Sequence, residues 1–384
     1  MIQLYNTRTH TIEPLHIENN HVTLYVCGVT PYDTTHLGHA FTYIMFDVLI
    51  RLLRYQKNDV TYVQNVTDID DPLFEKAREL KTDWKTLGDT WVQRFQEDMK
   101  ELNILSPNHY PRVTEVIPEI IQRVQILVEK QYGYEKEGYV YFDISKFKEY
   151  GALSRLTHEE MIPISAQRGN NPDDPRKRNP LDFVLWQPSK ADEPSWESPW
   201  GKGRPGWHIE CTAMSTKYLG EQMTLHGGGS DLIFPHHESE IAQSESSTGK
   251  KPFAYHFMHT AMVSHAGEKM SKSLGNLILV RDLLRQYSAD AIRWYLMTHH
   301  YQTEWEYDEK DLILAQQKTI VLAKSFNKAK SQAPSSKVDL INTIEDNLDI
   351  PKTLELLYDR ATDGKLSTKD KEISKKVLGF TWEL

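Results

Sequence analysis

The stretch Val26-Cys27-Gly28-Val29-Thr30-Pro31-Tyr32-Asp33-Thr34-Thr35-His36-Leu37-Gly38-His39 organises the reading of the whole chain. Val22 to Val26 is β-branched and aromatic and runs up to Gly28, so it is expected to be a strand. From His36 to Tyr55, Phe41, Ile44, Met45, Val48, Leu49 and Leu52 keep helical spacing. His36-Leu37-Gly38-His39 therefore falls where a strand has turned and a helix begins. Free amide N–H groups and the positive end of the helix suit such a place to phosphate. Gly38 has no side chain, so a flat base can lie against the backbone, and His36 and His39 can donate hydrogen bonds to phosphate oxygens. Taken alone, the same residues also describe two surface histidines at a helix start.

Composition bounds the rest. A chain of 384 residues with net charge −9 is long enough for two or three domains and a large core. Hydrophobic residues at 39% and charged residues at 26% describe an ordinary soluble composition. No apolar run approaches a membrane span, and Met1-Ile2-Gln3-Leu4-Tyr5-Asn6 carries no signal-peptide pattern. Two cysteines far apart in sequence cannot build a disulfide framework, so a reducing cytoplasm is expected. Net acidity argues against generic nucleic-acid binding and leaves room for a local basic surface.

Residues 59–66 read as a second strand, ending in Asn65-Val66-Thr67-Asp68-Ile69-Asp70-Asp71-Pro72. Helical patterns follow over 72–102 and 113–130. Strand, helix, strand in this order implies an α/β fold with a parallel sheet, whose ligands sit at the carboxyl ends of strands. Between 133 and 200 the texture changes: a strand at Tyr139–Asp143, then loops rich in proline, glycine and tryptophan, read as an insertion. Sheet character returns at Leu225–Gly229, with helices expected over 235–246 and 281–297. The chain from 310 to 384 reads as helical, with a loop at Pro334-Ser335-Ser336.

Three groups of residues could carry chemistry. Cys27, Cys211, His236, His237 and Glu240 offer thiolate, imidazole and carboxylate ligands, and His236 and Glu240 share a face at i, i+4. Zinc suits that donor set, although without a Cys-x-x-Cys the same residues also describe two inert buried cysteines and a solvated helix face. His226-Gly227-Gly228-Gly229-Ser230-Asp231 lets a ligand approach the backbone, with Asp231 placed to accept from ribose hydroxyls; the alternative is a flexible turn. Lys269-Met270-Ser271-Lys272-Ser273 could close over a polyphosphate, or lie in solvent.

His36–His39 with Lys269–Ser273 resembles the paired signature of class I aminoacyl-tRNA synthetases. More narrowly, the chain resembles the cysteinyl-tRNA synthetase family. The matches include Tyr25–Gly28, Asn65–Asp71, Tyr150–Ser154, Asn179–Trp186, Glu193–Pro199, Gly203–Cys211 and His226–Glu238, dense over residues 1–310. The resemblance implies a Rossmann-like parallel sheet with an inserted connective domain and a C-terminal helical region. The expected divisions are 1–132 and 201–262 for the two catalytic halves, and 133–200 for the insertion. The signature loop and stem-contact region would span 263–310, and the helical domain 311–384.

The family's roles carry over residue by residue. Cys27, Cys211, His236 and Glu240 would hold one zinc. Catalysis would fall to His36, His39, Lys269 and Lys272, and ATP, with magnesium, to those four together with Gly38, Gly227, Gly229 and Asp231. Cys27, Gly28, Thr30, Thr67, Trp207 and His226 would contact the amino acid. The implied reaction is ATP-dependent activation of L-cysteine and transfer to the acceptor end of tRNA(Cys), by a monomer in the cytoplasm. The chain stops at Leu378–Leu384, where the family usually continues into an anticodon-binding region, so a compact form is expected. A sister family, the mycothiol cysteine ligase, also stops there and joins cysteine to the amine of glucosaminyl-inositol. Thr30–Asp33, His36–His39 and Asp71–Glu75 resemble that enzyme, whereas Glu240 and Ile241–Glu245 resemble the synthetase. A non-catalytic binding relative is the reading outside the enzyme class. Five lysines (318, 324, 328, 330 and 337) with no acid between Leu312 and Val338 could follow a tRNA stem or be a solvated face.

Overall fold

A computed structural model describes residues 1–32, 35–270, 275–328 and 339–382, save the side chains of Lys269 and Lys328. The hairpin β1 (Gln3–Asn6) and β2 (Thr11–Pro14) leads into β3 (His21–Val29), α1 (Leu37–Tyr55) and β4 (Asp59–Val66). Then come α2 (Asp71–Leu80), α3 (Trp84–Glu101) and α4 (Ile117–Glu129). The insertion holds β5 (Gly133–Lys136), β6 (Tyr139–Phe142), α5 (His158–Gln167), β7 (Phe183–Gln187) and β8 (Arg204–Pro205). After α6 (Trp207–Leu219) the sheet resumes with β9 (Met223–Gly229), α7 (Glu238–Thr248) and β10 (Ala254–Thr260). The short β11 (Val263–His265) and β12 (Glu268–Lys269), with α8 (Val280–Leu284), α9 (Ala289–Met297) and β13 (Trp305–Glu306), lead to a helical region. That region is α10 (Glu309–Lys328), α11 (Leu340–Glu345), α12 (Ile350–Thr362) and α13 (Thr368–Lys376).

The central sheet has the order β10-β9-β3-β4 and is parallel throughout. Tyr25 on β3 pairs with Val63 of β4 and His226 of β9, so all three strands end at one edge. The insertion folds its own antiparallel sheet, β5-β6-β7-β8. This is the α/β parallel sheet that the strand–helix–strand order implied, in the Rossmann-like form that the resemblance implied. Helix α1 departs from its expected single apolar face. From Ala40 to Leu53 only Thr42, Arg51 and the buried Asp47 interrupt the buried hydrophobic run, because the helix packs against α9, α13 and the sheet.

Helix ends differ from the periodic reading for local reasons. The span 72–102 is two helices, since Lys81 turns left-handed at φ 52 and Asp83 caps α3 through the Thr86 amide at 2.8 Å. The span 281–297 is likewise broken, with the Ser288 hydroxyl accepting the Ala291 amide at 3.2 Å to start α9. Helix α7 begins at Glu238 rather than 235, because Phe234 is extended (φ −133, ψ 133).

One buried ion pair ties this frame together. Asp47 on α1 accepts from Arg293 Nη2 of α9 at 2.7 Å and from Arg51 Nε at 2.9 Å. The remaining Arg293 donors reach the carbonyls of Leu102 at 2.8 Å and Leu378 at 2.7 Å. Arg293 and Asp47 are both buried, so neither charge has water to fall back on. Arg293→Met is therefore expected to lower unfolding stability by about 3–5 kcal/mol, measured by chemical denaturation against the wild type.

Candidate active site

A cavity of about 550 Å³ opens at the carboxyl ends of β3, β4 and β9. Residues 28–32 after the middle of β3, and Thr35, His36, Gly38 and His39 at the start of α1, line it. His36 caps α1 with extended backbone, and its Nδ1 accepts the Gly38 amide N–H at 3.1 Å. That bond places the ring proton on Nε2, where it can be donated. The His36 and His39 rings stack with centroids 3.7 Å apart. A Cβ on Gly38 would stand 3.0 Å from the His36 ring, so glycine is what lets the ring lie over the helix start. The Leu37 amide donates to Ile278 at 2.8 Å and the Val280 amide to Thr35 at 3.0 Å, so the segment following the lysine loop is pinned to the histidine signature. Lys269 lies in β12 opposite Ser264, with its side chain outside the described residues, as is the whole of Lys272.

Four elements bring the sulfur, imidazole and carboxylate groups together. Cys27 lies near the end of β3, Cys211 lies on α6, His236 precedes α7 and Glu240 lies within it; one ligand atom from each falls within 4.8 Å of the others. All four residues are buried. Cys27, His226, His237 and Glu240 meet the same distance limit, so His237 belongs to an overlapping set rather than to the first. Burial pushes the Cys27 thiol up, and the neighbouring Cys211 and Glu240 add to it. The Glu240 carboxyl is also raised by burial, and His226 opposes that shift. His236 and His237 are held well below the usual imidazole range by burial. Glu240 Oε1 is buried with no hydrogen-bond partner. A divalent cation would favour the ionised Cys27 and Glu240 that burial opposes, burial already keeps the imidazoles in their neutral, ligating form, and the donor set fits zinc.

Among the expected amino-acid contacts, Cys27, Gly28, Thr30, Thr67 and Trp207 line the cavity. The Gly28 amide donates to Asn65 Oδ1 at 2.8 Å, and a Cβ there would meet the Asn65 carbonyl oxygen at 1.6 Å. Trp207 stacks on His236 with centroids 4.3 Å apart. His226 does not line the cavity: it sits behind Glu240, its Nε2 2.9 Å from Oε2. Gly227 is also set back from the cavity, its bare backbone accommodating Phe46 of α1, whose ring a Cβ would meet at 2.3 Å. Gly38, Gly229 and Asp231 do line it.

Sequence reasoning missed several groups. His237 Nδ1 lies 2.8 Å from His259 Nε2, and His259 Nδ1 lies 2.8 Å from the Thr7 hydroxyl. His208 and His236 face one another through Nδ1 atoms 3.0 Å apart. Arg168, just after α5 of the insertion, lines the cavity and donates to the Asp231 carbonyl at 3.0 Å. The only sequence signal was an abundance of histidine. Of the basic run, Lys324 is exposed on α10, the side chain of Lys328 is not described, and Lys330 and Lys337 lie outside the described residues.

A profile described as tRNA synthetases class I (C) catalytic domain matches residues 13–317. The chain belongs to this family. Cysteine–tRNA ligase of Haemophilus influenzae (strain PittGG) is 43% identical over 385 residues, covering 97% of this chain and 82% of that protein. The cysteine–tRNA ligase of Thermococcus onnurineus is 49% identical over 313 residues, covering 81% and 64%. L-cysteine:1D-myo-inositol 2-amino-2-deoxy-alpha-D-glucopyranoside ligase of Thermomonospora curvata is 46% identical over 313 residues, covering 81% and 75%. Mycobacterium tuberculosis methionyl-tRNA synthetase in complex with methionyl-adenylate shares the fold at TM-score 0.64 and 16% identity, over 93% of this chain and 88% of that one. Among the described residues of this class I synthetase, no helix is long and apolar enough to cross a membrane.

The turn after β3 gives a pH test. The Thr30 hydroxyl donates to Asp70 Oδ2 at 3.1 Å, and burial raises the Asp70 carboxyl from 3.8 to about 6. Below the unfolded value both states hold the proton, so Asp70 contributes no pH dependence there. Between the two values the folded state keeps a proton that the unfolded chain has released, and above about 6 the buried charge costs stability. Asp70→Asn should therefore stabilise the protein on the order of 1–2 kcal/mol at neutral pH and not below pH about 4, read from denaturation midpoints across pH.

Proposed function

We propose that this synthetase is a cysteine–tRNA ligase, activating L-cysteine with ATP as cysteinyl-AMP and transferring it to the acceptor end of tRNA(Cys). The observation that carries the reading is the convergence of Cys27, Cys211, His236 and Glu240 beside His36 and His39. A site that selects sulfur adjoins one that activates phosphate. In the same reading the chain divides at 1–132, 133–200, 201–262, 263–310 and 311–384, and acts as a monomer in the cytoplasm.

The cysteine carboxylate attacks the α-phosphorus of ATP, and the bond from that phosphorus to the bridging oxygen breaks, releasing pyrophosphate. His36 donates through Nε2 and, with His39, stabilises the charge that gathers on the α-phosphate oxygens. Lys269 and Lys272 take the charge of the leaving pyrophosphate, whose magnesium accompanies ATP. Gly38 admits the base, Gly229 and Asp231 hold the ribose, and Gly227 shapes the strand beneath. Thr30, Thr67 and Gly28 border the amino acid, and Trp207 encloses it. Zinc held by Cys27, Cys211, His236 and Glu240 would bind the substrate through its thiolate, which the less acidic hydroxyl of serine matches poorly. His226 steadies Glu240 by its hydrogen bond.

The relative from Thermomonospora curvata favours one second reading, in which glucosaminyl-inositol accepts the cysteine. Offering purified protein labelled cysteine and ATP with either acceptor separates the two. Absence of cysteine-dependent pyrophosphate exchange would overturn both in favour of a non-catalytic relative. Metal analysis is expected to find about one zinc per chain, and Cys211→Ser should weaken discrimination against serine more than ATP binding. His39→Ala should remove about 2–4 kcal/mol of transition-state stabilisation, seen as slower pyrophosphate exchange with little change in KM for ATP.

A further inference from the structure

We propose that Trp91, with Pro31, Tyr32 and Phe95, forms a stacking wall of the same cavity for the terminal base of the nucleic-acid acceptor. The proposal rests on the tRNA reading above. Its first support is topological. In the order β10-β9-β3-β4, the glycine-rich turn with Gly229 and Asp231 leaves β9 on one flank of β3. Helices α2 and α3 follow β4 on the other flank. Residues of both flanks line one cavity. With the ribose of ATP assigned to the β9 flank, the aromatic rings of the β4 flank have no role in activation.

The second support is the chemistry of that wall. Trp91 is held by a small apolar cluster of Leu73, Ala77 and Leu87 with Tyr32 and Trp84. The Arg94 guanidinium lies 4.5 Å from its ring centroid. The indole N–H is buried and has no hydrogen-bond partner. A buried orphan donor is costly, and a ligand acceptor group would remove that cost. Phe95 meets Tyr43 edge-on at 5.4 Å, and the Tyr43 hydroxyl donates to the Cys27 carbonyl at 2.9 Å. The wall is thus joined to the strand that carries Cys27. A flat ring system with a cation beside it suits a nucleobase, which offers a π-face, while the in-plane N–H suits an acceptor on the sugar or phosphate of the same nucleotide. Two bases could supply that chemistry, that of ATP and that of the acceptor's terminal nucleotide. The flank assigns it to the second.

The test uses the zinc-loaded, full chain and two variants, Trp91→Leu, which keeps apolar packing, and Trp91→Phe, which keeps a ring without the N–H. Pyrophosphate exchange gives KM for ATP and cysteine. Single-turnover transfer from preformed cysteinyl-adenylate, at varied tRNA concentration, gives the half-saturating tRNA. The expected result is exchange within about twofold of wild type and a rise of about tenfold in half-saturating tRNA for Trp91→Leu, with Trp91→Phe between. A raised KM for ATP would give the wall to the first base, and a raised KM for cysteine would give it to the amino acid; either overturns the proposal. Wild type that charges tRNA alongside an unchanged Trp91→Leu overturns the wall alone. Wild type that exchanges pyrophosphate but charges no tRNA overturns the acceptor reading itself, and the wall with it.

Discussion

Strand β3 runs between β4 and β9, and parallel pairing on both sides leaves it no freedom of register. A slip of one residue would turn Tyr25 and Cys27 away from the α6–α7 side and expose the opposite face of the sheet. That constraint places Cys27 near the strand end, sends the chain through Gly28 against the Asn65 backbone, and delivers His36 to the start of α1. The phosphate-facing and sulfur-facing halves of the site are therefore products of one strand's pairing.

The price of that arrangement is a densely polar interior. Glu240, His226, His236, His237 and His259 are all buried, and each charged form is penalised where a shift is resolved for it. Neutral imidazoles offset part of this by linking to one another and to Thr7, so that ring orientations are fixed from behind. Such fixing limits how far a ligand ring can swing, which matters more for selectivity than for affinity.

Much of the frame could be read from local pattern. The β-branched runs of β3 and β4 and the apolar spacing of α1 need no tertiary information, and they point to the parallel α/β sheet. Helix breaks at Lys81 and before Ser288 were missed because lysine has no intrinsic preference for left-handed backbone and a single serine cap is weak beside helical spacing. The site was legible in proportion to how local its parts are. His36 and His39, or His236 and Glu240, lie three or four residues apart at the start of one helix. Arg168, Thr7, His208 and His259 reach the site only through sheet order and the docking of the insertion, neither of which hydrophobic periodicity encodes. Gly227 was assigned to a ligand because glycine runs suggest one, and its nearest constraint is instead the Phe46 ring.

The segment around Leu378 and Gly379 closes over Arg293, and the amides of Thr381 and Trp382 satisfy Asp290 at 2.9 and 2.7 Å. Gly379 is left-handed (φ 73), and a Cβ there would stand 2.3 Å from Arg293 Nη2, so no other residue fits that crossing. In sequence, the helix bearing Asp47 and His39 lies far ahead of the Leu378 carbonyl that completes the Arg293 shell. Until those two segments meet, Asp47 and Arg293 share an unfinished pocket. The core behind the histidine signature therefore waits on a contact of long sequence separation, the kind that forms slowly during folding.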